Sequence, residues 1–160
     1  MEEDLTEYIR SVKNNPEERD AQAFGYAEEL CEIHDSELPD GRNSYNVPIR
    51  VLLLSYFERL SYYDKTRVSY ESYARYARFL EQTPRKEKDY DANRLKEEED
   101  GYKGVEGSRS ALVKVASEIE NPAFRVYLVL LSVCLLKDIG PFTKRQKLFL
   151  EDTLKALRID

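Results

Sequence analysis

The sequence predicts an all-α fold: one domain over residues 1–160, built as a compact bundle of six or seven helices. Apolar residues recur at helical spacing in successive segments of the 160-residue chain. No segment keeps the strict apolar–polar alternation of a half-buried strand. Prolines, turn aspartates and serine or threonine caps stand where helices are expected to begin and end.

The N-terminal part of the chain predicts two helices followed by a loop. Four apolar residues recur on one face of the first helix: Leu5, Tyr8, Ile9 and Val12. Asn15 is placed to cap the second helix, and Pro16 suits its first position. The face of the second helix that is expected to be buried is made by Phe24, Ala27, Cys31 and His34. Proline, glycine, aspartate and asparagine then predict a loop over 36–45.

Two helical hairpins are expected around residues 48–82 and 122–158. In the first, a helix from Pro48 to about residue 63 precedes a second helix that Ser69 caps. In the second, the apolar run 126–136 predicts the most buried helix, and it is far shorter than the roughly 20 residues of a membrane-spanning helix. Thr143 and Gln146 have the spacing of a capping box, which predicts the start of the last helix.

Residues 84–107 separate the two hairpins and are mostly charged residues and glycine. Such a segment buries little apolar surface, so it is predicted to be a mobile charged loop or linker, or a solvated helical stretch. Ser108 or Ser110 is then expected to cap a further helix that ends near Glu120.

The residues that start, end and cap the helices recur in the two hairpins at a constant offset of 74 positions. The matched pairs are Pro48 with Pro122, Asp64 with Asp138, Val68 with Phe142, Ser69 with Thr143, and Leu80 with Leu154. One interpretation is an internal duplication about a pseudo-twofold axis. The alternative is that helical hairpins in general use prolines, turn aspartates and hydroxyl caps.

The turn at 138–146, DIGPFTKRQ, resembles the helix, Asp turn, Ser/Thr cap and helix of the tellurite-resistance TerB-like family. The turn at 64–69, DKTRVS, is similar to a lesser degree. The sequence departs from the family pattern by lacking a glycine directly after Asp64 and Asp138. The resemblance implies an all-helical, non-catalytic, stress-associated interaction domain.

Composition narrows the class of protein. A net charge of −6 disfavours non-specific attraction of the whole molecule to nucleic acid or anionic lipid. The N-terminus lacks the apolar core of a secretory signal. Cys31 and Cys134 lie in apolar stretches and form no CxxC pair, so they are expected to be buried and reduced. Together these features predict a cytoplasmic protein with no membrane insertion.

Catalytic motifs are not evident, and the chain is predicted to be no enzyme and to need no metal or cofactor. His34 follows Cys31 by three residues, but the second half of a zinc motif is missing. Phosphate-binding glycine motifs are absent from the sequence. An approach of Asp64 to Asp138 across a pseudo-twofold axis would be the remaining route to a carboxylate enzyme or a metal site.

Two surfaces are candidates for binding. The first combines arginine with tyrosine, the residue types preferred at protein interfaces, and comprises Tyr62, Arg67, Tyr70, Tyr73, Arg75 and Arg78. The same helix fits a core element or, less well, a nucleic-acid surface. The second candidate is an anion-binding cluster in the first turn of the last helix, formed by Lys144, Arg145 and Lys147.

The leading prediction is a non-enzymatic protein–protein interaction or adaptor domain that self-associates. A helix that is apolar nearly all round needs cover on every side, and a second subunit is one source of that cover. The rival prediction is a nucleic-acid-binding accessory subunit, for which binding would fall steeply with salt. Its cationic residues would be Arg67, Arg75, Arg78, Lys144 and Arg145.

Overall fold

The computed structural model describes residues 3–37, 104–139 and 143–158. Within these ranges every regular element is a helix, which confirms the all-α prediction for this part of the chain. The helices are α1 (Glu3–Ser11), α2 (Pro16–Glu37), α3 (Gly104–Ser117), α4 (Ala123–Ile139) and α5 (Lys144–Leu157). The predicted hairpin at 48–82, and with it the test of a duplication, lies outside the described residues.

The core is organised around α4. Among the described helices, α2 and α4 share the most extensive contact. Helix α1 packs on both α4 and α5, and α3 packs on α5. Residues 128–136 of α4 are all buried, each at most 8% exposed. The prediction that this helix is the most buried is therefore confirmed among the described helices. Its cover comes from the same chain, so α4 does not require the second subunit that its apolar sequence suggested.

Aromatic side chains complete the contact between α2 and α4. The rings of Tyr26 and Tyr127 lie with their centroids 5.8 Å apart and tilted by 33°. This geometry is within the range that aromatic pairs favour. Burial raises the pKa of Tyr26 above its ordinary value, and the neighbouring Cys134 and Tyr127 act in the same direction.

The predicted helix starts at Asn15 and Thr143 are confirmed. The Asn15 side-chain oxygen accepts a hydrogen bond from the Glu18 backbone N–H at 3.1 Å. Thr143 and Gln146 form a complete capping box, in which each side chain accepts from the backbone N–H of the other. Both signals act within one turn of helix, which is why the sequence alone can reveal them.

Helix α3 differs from its prediction at both ends. It begins at Gly104, before either expected serine cap, so residues 104–107 fit the helical alternative that was predicted for 84–107. Serine has ordinary helix propensity and does not force a helix to start. The helix ends at Ser117, where Glu118 and Ile119 donate to carbonyls three residues earlier and so tighten the last turn.

The turn between α3 and α4 is tied to the end of α2. One carboxylate oxygen of Glu37 accepts from the Glu120 backbone N–H at 2.6 Å, and the other accepts from Asn121 at 3.2 Å. Hydrogen bonds to an ionised acceptor are stronger than neutral ones. Glu37 therefore satisfies two backbone donors of the turn between α3 and α4.

Side chains from α2 and α4 hold the turn between α1 and α2. Arg19 donates to the Asn14 carbonyl at 2.8 Å and to the Asp138 carboxylate at 2.8 Å. Lys137 donates to the Val12 carbonyl at 2.5 Å and to the Asn14 side chain at 3.2 Å. Hydrogen bonds thus hold the turn between α1 and α2 against the last turn of α4.

Gln22 of α2 also stabilises the turn between α1 and α2 through two hydrogen bonds to its backbone. Its amide oxygen accepts from the Lys13 backbone N–H at 2.7 Å, and its amide nitrogen donates to the Ser11 carbonyl at 2.9 Å. Gln22 thus satisfies the Ser11 carbonyl, which the end of α1 leaves without a helical partner, and the Lys13 N–H of the turn.

Candidate interaction surfaces

The outer side of α5 carries the one large apolar side chain that is exposed in the described ranges, Leu148. It is 50% exposed, whereas the adjacent Phe149 and Leu150 are buried. Since successive helical residues turn by about 100°, Leu148 lies near the centre of the solvent-facing side of α5. A single exposed leucine is ordinary on a protein surface. Evidence for a binding surface on this side of the helix must therefore come from the arrangement of the charged residues around Leu148.

Charges on this side of α5 are segregated along the helix. Lys144 and Arg145 lie about one turn before Leu148, and Glu151 and Asp152 lie about one turn after it, all exposed. Neither Glu151 nor Asp152 forms an ion pair with another residue of the described chain. We call these five residues the α5 outer face.

The predicted anion-binding residues Lys144, Arg145 and Lys147 are all exposed at the start of α5. The first turn of α5 contains no acidic residue. Cations at this end oppose the helix dipole, at a cost of about a few tenths of a kcal/mol each. The structure thus places these residues together on the surface, and their binding of an anion stays a prediction.

Asp138 is engaged in the fold. Its carboxylate accepts from Arg19, and the two side chains are only 8% and 7% exposed. Asp64, the other half of the proposed carboxylate pair, lies outside the described residues. A carboxylate that already neutralises a buried guanidinium is poorly placed to act as a general base or a metal ligand.

Cys31 and His34 are both fully buried on α2. The Nδ1 atom of His34 lies 3.7 Å from a carboxylate oxygen of Asp35. Among the residues that the structure describes, no group of three or more metal-ligating side chains comes together. Cys31 and His34 are therefore packed within the fold.

Cys31 and Cys134 form no disulfide in the described part of the chain, and both are buried, as the sequence predicts. Burial raises the pKa of the Cys134 thiol to about 12, against the partial opposition of Arg19 and Lys137. Since the thiolate is the nucleophilic form, Cys134 is unsuited to nucleophilic catalysis at neutral pH.

The predicted partner surface lies outside the described residues. It comprises Tyr62, Arg67, Tyr70, Tyr73, Arg75 and Arg78. Whether that helix belongs to the core or to an interface therefore stays a prediction. The α5 outer face is the candidate surface that the structure does describe.

Comparisons of the chain with protein-family models, curated proteins and solved structures find no match. The resemblance to the TerB-like family accordingly stays a prediction from the turn sequences. Of the described helices, none is both long enough and apolar enough to cross a membrane.

Only the basic half of the α5 outer face is predicted from the sequence. The basic residues at the start of α5 were predicted, and the structure shows a buried stripe of Leu150, Leu154 and Leu157 on the opposite side of the helix. Leu148 does not belong to that stripe, and Glu151 and Asp152 resemble ordinary solvated residues. Their alignment about Leu148 becomes visible when α5 is viewed from its exposed side.

Proposed function

We propose that this chain is a non-enzymatic protein-interaction domain that self-associates through the α5 outer face. The observation that carries the proposal is the order of charges about Leu148. In an antiparallel, twofold-symmetric pair of α5 helices, the Leu148 side chains of two copies meet at the axis. Lys144 and Arg145 of each copy are then level with Glu151 and Asp152 of the other.

The same order of charges selects the direction of pairing. If two α5 helices paired in parallel and in register, Lys144 would face Lys144 and Glu151 would face Glu151. Like charges in contact disfavour such an arrangement, whereas the antiparallel arrangement brings opposite charges together. The face is therefore complementary to a second copy of itself in one orientation.

The expected dimer is weak and reversible. Exposed ion pairs contribute about 0.2–1 kcal/mol each. A 14-residue helix offers less area than the roughly 800 Å² per partner of a stable interface. Lys147 and Lys155 are exposed on the same helix and have no acidic counterpart in this pairing. Such a dimer is suited to a protein whose assembly responds to its concentration.

Sedimentation equilibrium of the full chain over a range of concentrations tests the proposal. We expect a monomer–dimer equilibrium that shifts toward monomer as salt rises, because salt screens exposed ion pairs. Two double variants sharpen the test. Glu151→Lys with Asp152→Lys makes the face basic, and Lys144→Glu with Arg145→Glu makes it acidic. Each should be monomeric alone, and an equimolar mixture of the two should dimerise.

A matched control places the same charge change elsewhere. Glu28 and Glu29 are exposed on α2, so Glu28→Lys with Glu29→Lys should dimerise like the unmodified chain. A wild-type chain that stays monomeric at every concentration would contradict the proposal. A dimer that survives both charge reversals would assign self-association to another surface.

Several finer features belong to this proposal. The whole chain forms a bundle of six or seven helices with two related hairpins, and it works in the cytoplasm as an adaptor. The Tyr62–Arg78 segment supplies a second surface, for a protein partner. The nucleic-acid alternative suits the α5 outer face less well, because Glu151 and Asp152 would repel a phosphate backbone next to Lys144 and Arg145.

A further inference from the structure

A cleft of about 240 Å³ lies where α1, the start of α4 and the end of α5 meet. Val126, Leu154 and Leu157 supply its apolar surface, and Arg125, Arg158 and Tyr8 supply its polar groups. It lies at the opposite end of α5 from Lys144 and Arg145. An apolar cavity with a few polar groups is the usual form of a small-ligand site.

A second cleft of about 240 Å³ adjoins the first on the α3 side of Arg125. Its polar groups come from Ser110, Lys114 and Ser117, and it shares Arg125 and Leu157 with the first cleft. Ligand pockets commonly span about 300–1,000 Å³, so a ligand of that size would have to extend across Arg125 and Leu157 from one cleft into the other.

The electrostatics of the two clefts differ from those of the whole chain. Acidic side chains outnumber basic ones by 31 to 25 in the sequence. Among the residues that the structure describes, however, no carboxylate lines either cleft, and Arg125 lines both. The positive charge of Arg125 in these surroundings is complementary to an anion.

Arg125 lies between the two clefts and lines both. It is partly buried, and its guanidinium group has no hydrogen-bond or ion-pair partner among the described residues. It also lies in the first turn of α4, where the helix dipole disfavours a cation. A bound anion would remove both unfavourable features, and a guanidinium fork suits a carboxylate, phosphate or sulfonate group.

Tyr8 adds a hydrogen-bond donor at the edge of the first cleft. Burial raises the pKa of Tyr8 above its ordinary value. The phenol therefore keeps its proton at neutral pH and can donate to an anionic oxygen.

We propose that the two adjoining clefts bind a small amphiphilic anion. Its charged group contacts Arg125 and is assisted by Tyr8, and its apolar part lies against Val126, Leu154 and Leu157. This site is independent of the α5 outer face, because no residue of that face lines either cleft.

Fluorescence titration of the full chain with anilinonaphthalene sulfonate, an anion on an aromatic body, tests this site. We expect saturable binding of one probe per chain. Arg125→Gln should weaken it about tenfold, because a charge-assisted hydrogen bond is lost. Arg10→Gln is the matched control: Arg10 is exposed, pairs with Glu7 and lines neither cleft. It should bind the probe like the wild type.

Three further measurements make the outcome decisive. Neutral anilinonaphthalene, which lacks the sulfonate, should bind the wild type about tenfold more weakly than the anionic probe. Arg125→Lys keeps the charge without the fork and should bind between wild type and Arg125→Gln, even if the glutamine variant folds poorly. Tyr8→Phe should cause a smaller loss. Equal binding of the two probes, Arg125 variants that bind like wild type, or unsaturable binding would each overturn the proposal.

Discussion

The ion pair between Arg19 and Asp138 joins residues that are far apart in the sequence and largely out of water. The two side chains are 7% and 8% exposed, and their atoms approach to 2.8 Å. Removing two charges from water costs about as much as their attraction returns, so such a pair adds little net stability. Its importance appears when one partner is removed, because the other is left buried and charged.

Asp138→Ala should lower the free energy of unfolding by about 3 kcal/mol, because it leaves Arg19 without its counter-ion. Urea denaturation measures this loss. The exposed pair of Glu7 with Arg10, at 3.1 Å, provides the control, and Glu7→Ala should leave the stability nearly unchanged. If the two variants lose equal stability, the burial of the Arg19–Asp138 pair has no energetic effect.

Cys134 should make the protein less stable at alkaline pH. Its pKa is about 12 in the fold, against an ordinary value of 9.0, so the unfolded chain gives up this proton first. The stabilisation is complete below pH 9.0 and is lost as pH rises toward 12. Within that window each pH unit costs about 1.4 kcal/mol. Denaturation of wild type and Cys134→Ala across this range should show a shallower decline for the variant, and parallel declines would contradict the assignment.

At the scale of the element, α2 carries a glycine that its structure does not require. Gly25 lies inside the helix, and a methyl group in its place would meet no described atom within 4 Å other than the neighbouring backbone of the helix itself. Gly25→Ala should therefore raise the free energy of unfolding by about 0.5–1 kcal/mol, because alanine loses less backbone entropy in a helix. Ala21→Gly, at an exposed position of the same helix, should have the opposite sign. Thermal denaturation of both variants measures this, and a loss of stability in Gly25→Ala would indicate a hidden clash.

The capping box of α5 is a second element-scale determinant of stability. Thr143→Ala removes the acceptor of the Gln146 backbone N–H and should lower the free energy of unfolding by about 1 kcal/mol. Thr6→Ala, at an exposed position within α1, removes a threonine that caps nothing and should have little effect. Denaturant titration of the two variants distinguishes the cap from a general effect of losing threonine.

Helix boundaries show what local sequence can and cannot reveal. The starts of α2 and α5 were predicted correctly, because Asn15 and Thr143 bond to backbone groups within one turn. The start of α3 at Gly104 was not predicted, because serines and glycines in a charged segment do not define a unique start. Signals confined to one turn were therefore more reliable than changes in composition.

At the scale of the whole molecule, the sequence predicted which helices are apolar but not which of them meet. The buried run in α4 was evident from composition. Its pairing with α2, and the contact of Arg19 with Asp138, depend on approaches between distant segments that no local pattern encodes. For the same reason the cleft around Arg125 could not be predicted, since its residues come from α1, α3, α4 and α5.

Because α4 is buried against α2 and also contacts α1 and α5, its backbone should be the last of the described segments to open. Native-state hydrogen exchange should find the slowest amides at residues 128–136, with exchange that requires global unfolding. Amides of the short α1 should exchange faster through local opening. Faster exchange in α4 than in α1 would contradict this order.

Because α2 and α4 are far apart in the sequence, α2 is synthesised well before the helix on which it packs. About 100 residues separate the end of α2 from the end of α4. At synthesis rates of about 5–20 residues per second, α2 leaves the ribosome about 5–20 s before its principal packing partner is complete. During that interval Ala27, Leu30 and Cys31 have no α4 to cover them. The N-terminal helices are therefore the segment that a ribosome-associated chaperone would protect.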